Sequence, residues 1–305
     1  MIDFCGKRKL WFSISIGLIL FSMAIALFFG VELDINFRGG SIVTYSFSGE
    51  VPKEAFESTV EEILGQKVSL QEQKDIATDA MNYVVTLSAK SGIAPEKQIE
   101  ITTGLQKAFA DNNIQVVSLS NVDPSIGREF FVKSMVALLA ASVLMIIYIG
   151  FRFRKMGGWS AGVMAVVALM HDIMIVFATF VIFRIPLDDN FIAVSLTILG
   201  YSLNDTIIIY DRIRENKRLR VCKTIDELVN KSINQSLTRS LNTSIATVLS
   251  MVVVCIMALV YNVDSILTFA FPMTLGMISG SYSSICIAGP LWAMWQNHKA
   301  EKKKI

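Results

Sequence analysis

Six runs of about twenty apolar residues dominate this 305-residue chain, and no other feature restricts its folding as strongly. They cover residues 10–30, 134–151, 161–183, 191–210, 241–260 and 267–295. A bilayer core takes ~20 apolar residues per helix, so each run is long enough to cross one. Composition points the same way: the chain is 53% hydrophobic and only 18% charged, with a mean hydropathy of +0.52. Soluble globular chains carry roughly 25% charged residues, and a soluble core has no room for this much apolar surface. Lys7, Arg8 and Lys9 precede the first run as in a secretory leader. The run is too long for a leader's apolar region and no small-residue cleavage site follows it, so an uncleaved anchor is expected.

Lys and Arg in the short loops set the expected orientation. Lys7–Lys9, Arg152, Arg154, Lys155, the stretch 212–223 and the tail 299–304 all fall on one side. The opposite loops hold Arg184 alone in 184–190, beside Asp188 and Asp189, and no cation in 261–266. Both termini are therefore expected in the cytoplasm, with residues 31–130 external. The expected organisation is an anchor over 1–30, an external domain over 31–130, helices 2–6 over 131–298 and a basic tail over 299–305. Residues 212–239 form a cytoplasmic amphipathic segment between helices. Within it, Ile225, Leu228, Val229 and Ile233 recur at helical spacing and predict a helix lying in the membrane interface.

The external stretch alternates in type. Residues 41–47, 67–74, 83–89 and 114–119 read as strands, and 52–64 and 95–110 as helices, the first carrying Phe56, Val60, Ile63 and Leu64 on one face. Asp75, Asp79 and Asn82 mark turns between strands. The order β-α-β-β-α-β predicts a ferredoxin-like α+β domain. It holds no His or Cys, so a binding or force-bearing module fits better than an enzyme. Two motifs flank it: Asn36-Phe37-Arg38-Gly39-Gly40 at the entry and Val122-Asp123-Pro124-Ser125-Ile126-Gly127 at the return. Either is an ordinary turn by itself. Together they suggest hinges, with Gly39 and Gly40 allowing positive φ and Pro124 and Gly127 punctuating the return.

Polar residues inside the apolar runs carry the chemistry. Tyr201-Ser202-Leu203-Asn204-Asp205-Thr206 interrupts the fourth run, and an ionised Asp in a bilayer costs ~2.5–3.5 kcal/mol, so such a group marks protein, water or an ion path. In the fifth run Arg239, Asn242 and Thr243 fall at i, i+3 and i+4 and share a helix face, and the string Ser240, Asn242, Thr243, Ser244 and Thr247 makes its cytoplasmic half unusually polar. We expect Asp205 to pair with Arg239, with Asn204, Asn242 and Thr243 bonding around them. His171 and Asp172 form a second polar island in the third run. Each has a plainer reading: Arg239 snorkelling to the interface, His171 packing, Asp205 as polar glue between helices. Taken together they favour a proton or ion relay, because a carboxylate that pairs with Arg or is neutralised is a two-state element.

Other chemistries find no support. Phosphate-binding glycine loops, HExxH and Ser/His/Asp sets are missing, and His171 and His298 are the only histidines. Cys5, Cys222, Cys255 and Cys286 show no CxxC spacing, so neither a disulfide framework nor a zinc site is expected. A net charge of +2 without a basic aromatic face argues against nucleic acid. No cofactor and no metal are expected, and the energy source is an ion gradient rather than ATP.

The stretch Gly200-Tyr-Ser-Leu-Asn-Asp-Thr-Ile-Ile-Ile-Tyr-Asp-Arg-Ile-Arg-Glu-Asn216 closely resembles the fourth-span signature of the SecF family. Arg239-Ser-Leu-Asn-Thr-Ser244 resembles its fifth-span signature and Leu169-Met-His-Asp-Ile173 its third. Asn36 and Asp123 depart from it, since the family usually has Asp and Gly there. The resemblance implies a member of the resistance–nodulation–division superfamily: half of a twelve-helix bundle, completed by SecD, in the bacterial inner membrane. It implies a proton-driven motor, not an enzyme, that helps the SecYEG translocon move preprotein clients. It also implies that Asp205 and Arg239 relay the proton, with Thr243 beside them. Two rival readings are a small-molecule exporter of the same superfamily and a scaffold of the translocon without motor action.

Overall fold

The computed structural model describes residues 2–302 except 35, 36, 38, 66, 75–80, 88–94, 123 and 262. Asn36, Asp123, Asp75 and Asp79 therefore lie outside the described residues. The chain opens with helix α1 (Arg8–Phe29) and leaves it at Gly30, whose φ of 75° suits glycine. An α+β unit follows: β1 (Gly40–Ser46), α2 (Lys53–Leu64), β2 (Ser69–Lys74), β3 (Met81–Leu87), α3 (Pro95–Ala108) and β4 (Gln115–Val122). Its sheet has the order β2-β3-β1-β4 with antiparallel neighbours throughout. Asn82, expected in a turn, sits inside β3. Phe56 and Val60, one turn apart on α2, bury against Val43, Tyr45, Tyr83 and Val85 of the sheet, with Ile101 and Leu105 of α3. This apolar cluster is separate from that of the helices.

The entry to the unit is fastened. Leu33 pairs in parallel with Leu187, the Asp34 N–H donates to the Leu187 carbonyl (2.9 Å), and the Leu187 N–H donates to the Glu32 carbonyl (2.8 Å). Phe37 is buried between Phe130 and Phe131, at ring separations of 5.8 and 5.4 Å. Gly39 and Gly40 follow with φ of 79° and 149°, values that need glycine.

The helical part continues with α4 (Pro124–Arg152), α5 (Gly158–Ile182), α6 (Asp189–Leu219), α7 (Ile225–Val260) and α8 (Asp264–Ser283). A π-helical turn, Ser284–Ala288, then leads into α9 (Gly289–Lys302). Among the described residues, five helices are long and apolar enough to cross a membrane: α1, α4 from Gly127, α5, α6 and α7. The sixth predicted run is the rod formed by α8, the π turn and α9. Pro272, Gly276, Ser279, Gly280, Ser281 and Ser283 dilute its apolar character, because α8 is an interior helix packed through small residues. A Cβ placed on Gly276 would lie 2.8 Å from a Val176 methyl, and one on Gly280 2.9 Å from the Ser202 Cβ.

The 212–239 segment departs from expectation. Residues 212–219 continue α6 and 225–239 open α7, so no separate interfacial helix forms. Leu228, Val229 and Ile233 join the helical core, and Gly289 at the start of α9 packs against Val229 and Ile233. The apolar stripe faces a neighbouring helix instead of lipid.

Candidate functional site

Asp205 is 2% exposed in the middle of α6. Its Oδ2 accepts from the Ser244 hydroxyl of α7 at 3.3 Å, and its Oδ1 has no partner among the described residues. The expected pairing with Arg239 is not formed: Arg239 is exposed and makes no ion pair among the described residues. Helical phase explains the difference. Ser240 and Ser244, one turn apart, are the buried stripe of α7, whereas Arg239, Asn242 and Thr243 lie on the next stripe round. Arg239 and Asn242 are exposed, and Thr243 is half-buried with its hydroxyl donating to the Arg239 carbonyl (3.0 Å). Asn204, one residue before Asp205, is also turned outward. The predicted set thus divides into one buried carboxylate and an exposed polar stripe beside it.

That stripe meets an open cavity of about 1110 Å³ at the 152/212 end of the helices. Phe151 and Arg152 of α4, Ile208 and Asp211 of α6, and Gln235 and Arg239 of α7 line it. Arg152 and Arg214 both reach Asp211 (3.3 and 2.7 Å), and Arg212 pairs with Glu215 (2.7 Å).

Asp172 is the better-held carboxylate. It is fully buried; Oδ1 accepts from the Ser279 hydroxyl (2.7 Å) and lies 3.2 Å from His171 Nδ1. Oδ2 accepts from Ser202 and Ser283, each at 2.7 Å. Ser202 lies in the polar interruption of the fourth run, whereas Ser279 and Ser283 were not singled out in the sequence; their signal was the run Ser279-Gly280-Ser281-Tyr282-Ser283-Ser284, five hydroxyls in six residues of an apolar segment.

Around the entry and return, Pro124 is the first residue of α4 and Gly127 is buried within its first turn, so both belong to the helix and not to a turn before it. Asp188 caps α6, accepting from the Asn190 N–H (3.0 Å) and side chain (2.8 Å). Burial, and then the charge of Asp34, push its carboxyl up to about 6. Among the described residues no cluster of three or more His, Cys, Asp or Glu is placed to hold a metal ion.

A family model described as "Protein export membrane protein SecD/SecF, C-terminal" matches residues 102–298, which include α4 to α8 and most of α9. The SecF subunit of the protein translocase of Petrotoga mobilis is 35% identical over 95% of this chain and 94% of its own. The chain belongs to the SecD/SecF family. Its likeness to family members extends to three dimensions: a crystal structure of SecDF from Thermus thermophilus, a translocon-associated membrane protein, superposes with a TM-score of 0.79 at 28% identity. That match covers 97% of this chain and 39% of the SecDF chain. Bacillus subtilis SecDF gives the same proportions, 31% identical over 98% of this chain and 39% of its own. Against the fused relatives, this chain corresponds to about two fifths. With its apolar helices, SecD/SecF membership makes it a multi-pass membrane protein.

Proposed function

We propose that this chain is a SecF-type subunit of an accessory motor that uses a proton gradient to assist the Sec translocon in moving preproteins across the bacterial inner membrane. The observation that carries this reading is Asp205: a buried carboxylate with one oxygen unpartnered, set in a helix long and apolar enough to cross a membrane. Such a group is costly in hydrocarbon and is retained where it moves ions. No chemical catalysis is involved. Proton arrival at Asp205 changes the hydrogen bond that Ser244 of α7 makes to it, and with it the contact of Ser244 with Ser281 of α8, and the helix shift reaches the external unit through α1.

The rod α8–π turn–α9 acts as a sixth span, and the loop charges place both termini in the cytoplasm with residues 31–130 in the periplasm. The strand order β2-β3-β1-β4 with both helices on one face suits a ferredoxin-like external domain. SecD supplies the other half of the bundle. The exposed stripe of Asn204, Arg239 and Asn242 supports this, since polar side chains at that depth need a protein or water partner. Arg239 then meets the relay once the second half is seated. The test is gradient-driven preprotein translocation in proteoliposomes holding the SecD–chain complex and SecYEG. Asp205→Asn is expected to abolish the gradient-dependent part. Translocation at the full gradient-dependent rate in that variant would sink the reading.

A further inference from the structure

The six residues 279–284 of α8 and the π turn touch every helix that surrounds them. Ser279 and Ser283 hold Asp172 on α5 (2.7 Å each). Ser284 donates to the Ser202 carbonyl of α6 (3.0 Å) and shares a hydrogen bond with Thr206 (2.9 Å). Tyr282 donates to the Trp11 carbonyl of α1 (2.8 Å) and lies 3.1 Å from the Ser15 hydroxyl. Ser281 reaches Ser244 of α7 at 2.6 Å, and Ser244 donates to Asp205, with buried Ser240 one turn earlier on the same stripe.

The direction of this last chain is set by proton counting. A serine hydroxyl has one proton to donate. With Asp205 ionised, Ser244 donates to it and accepts from Ser281. With Asp205 protonated, the carboxyl donates to Ser244, whose own proton turns to the Ser281 oxygen. Ser281 then donates to its other acceptor, the Met277 carbonyl at 3.0 Å. Each proton stays on its own oxygen, and only the donor directions reverse. The reversal ends on the backbone of α8 about two turns ahead of the π turn. Serine bonding to the i−4 carbonyl bends helices, and π turns mark sites of functional adjustment.

We propose that Ser281 and Ser244 are positioning residues that carry the state of Asp205 to α8, and that residues 279–284 pass it through Tyr282 to α1 and the external unit. Asp172, gripped by two serines of α8 and by Ser202 of α6, is the fixed point against which α8 moves. The proposal rests on Asp205 being the proton relay and adds the route by which its state leaves the site.

The test measures proton flux and preprotein translocation side by side in proteoliposomes of the complete complex. Ser281→Ala is expected to retain proton flux while translocation per proton falls about tenfold, a coupling loss within the usual allosteric range. Ser281→Thr, which keeps the hydroxyl, is expected to restore coupling. Ser244→Ala removes the donor to Asp205 itself, so its proton flux is expected to change; its translocation per proton should fall as in Ser281→Ala, and in the double variant it should be no lower than in either single one, because both interrupt one chain. Flux and translocation falling together in Ser281→Ala, unchanged coupling, or additive losses in the double variant would each overturn the proposal. Asp205→Asn in the same assay separates the two ideas. Abolished flux there with full coupling in Ser281→Ala rejects only the serine route, whereas unchanged flux in Asp205→Asn rejects the relay and the route with it.

Discussion

Gly280 sits so close to Ser202 that a single methyl decides whether the Asp172 site can assemble. A Cβ at position 280 would stand 2.9 Å from the Ser202 Cβ and 3.1 Å from its hydroxyl oxygen, which is one of the donors to Asp172. Gly280→Ala is expected to destabilise the chain by about 1–3 kcal/mol, as overpacking does, seen as a lower unfolding temperature in detergent. Asp188 makes a different kind of prediction. Its folded-state carboxyl titrates at about 6 against an ordinary 3.8. The folded chain holds that proton more tightly than the unfolded one, so the ionised form subtracts stability. The penalty is absent below about pH 4 and complete above about pH 6. Asp188→Asn keeps a side chain able to cap α6, and its stability relative to the parent should rise across that window and level off above it. A constant difference across the pH series would refute the assignment. Asp205 and Asp172 were legible in the sequence because charge inside an apolar run is conspicuous. Ser202 and Ser244 stood in the polar strings, but which residue faces which carboxylate was not legible: it depends on helix rotation to within a fraction of a turn, and spacing alone put Arg239 where Ser244 stands.

Among elements, the short segment before α1 behaves as a strap. The Asn230 side chain accepts from the Phe4 and Cys5 N–H groups (2.9 Å each) and donates to Asp3 (2.6 Å), while Asn234 bonds both backbone groups of Ile2. Arg8 and Asn297 both reach Asp226, so the strap, α7 and α9 close on one another. Cys5 is 1% exposed beneath it, and burial pushes its thiol up to about 12. Because the thiolate is the reactive form, Cys5 should resist maleimide in the parent chain. Asn230→Ala leaves two N–H groups without acceptors, at about 1–3 kcal/mol each if they stay buried, so the strap should lift and Cys5 should react. Buried Cys286 is the internal reference; equal protection of both thiols in the variant would show that the strap holds by packing alone. The strands and helices could be read from periodicity, since period and burial are local properties. The strap could not, because its partner lies 225 residues away. The interfacial helix was misread for the same reason: an apolar stripe looks alike whether lipid or α9 will cover it.

At the scale of the whole molecule, the outer surface is inconsistent with a chain that works alone. On α7, Ile245, Leu249, Val253 and Ile256 are exposed and apolar, as lipid requires. Arg239 and Asn242 are exposed on the same helix and Asn204 on α6 beside it, and Arg239 lines the open cavity with Arg152 and Asp211. The face of α7 that carries this stripe, with the cavity that Arg239 lines beside α4 and α6, is therefore the expected seat of the second half of the bundle. Thiol labelling distinguishes lipid from protein there. With the native cysteines replaced by alanine, Asn242→Cys should react with a water-soluble maleimide when the chain is reconstituted alone, because water reaches that exposed polar face. Leu249→Cys should stay unreactive, since no water forms thiolate on a lipid-facing side chain. Adding SecD should protect position 242 and leave position 249 as it was. Undiminished labelling at 242 in the assembled complex would move the partner's seat elsewhere and leave Arg239 in water, unable to meet Asp205. Protection would place Arg239 at the boundary between the halves, where the charge that Asp205 lacks in this chain alone is supplied by assembly.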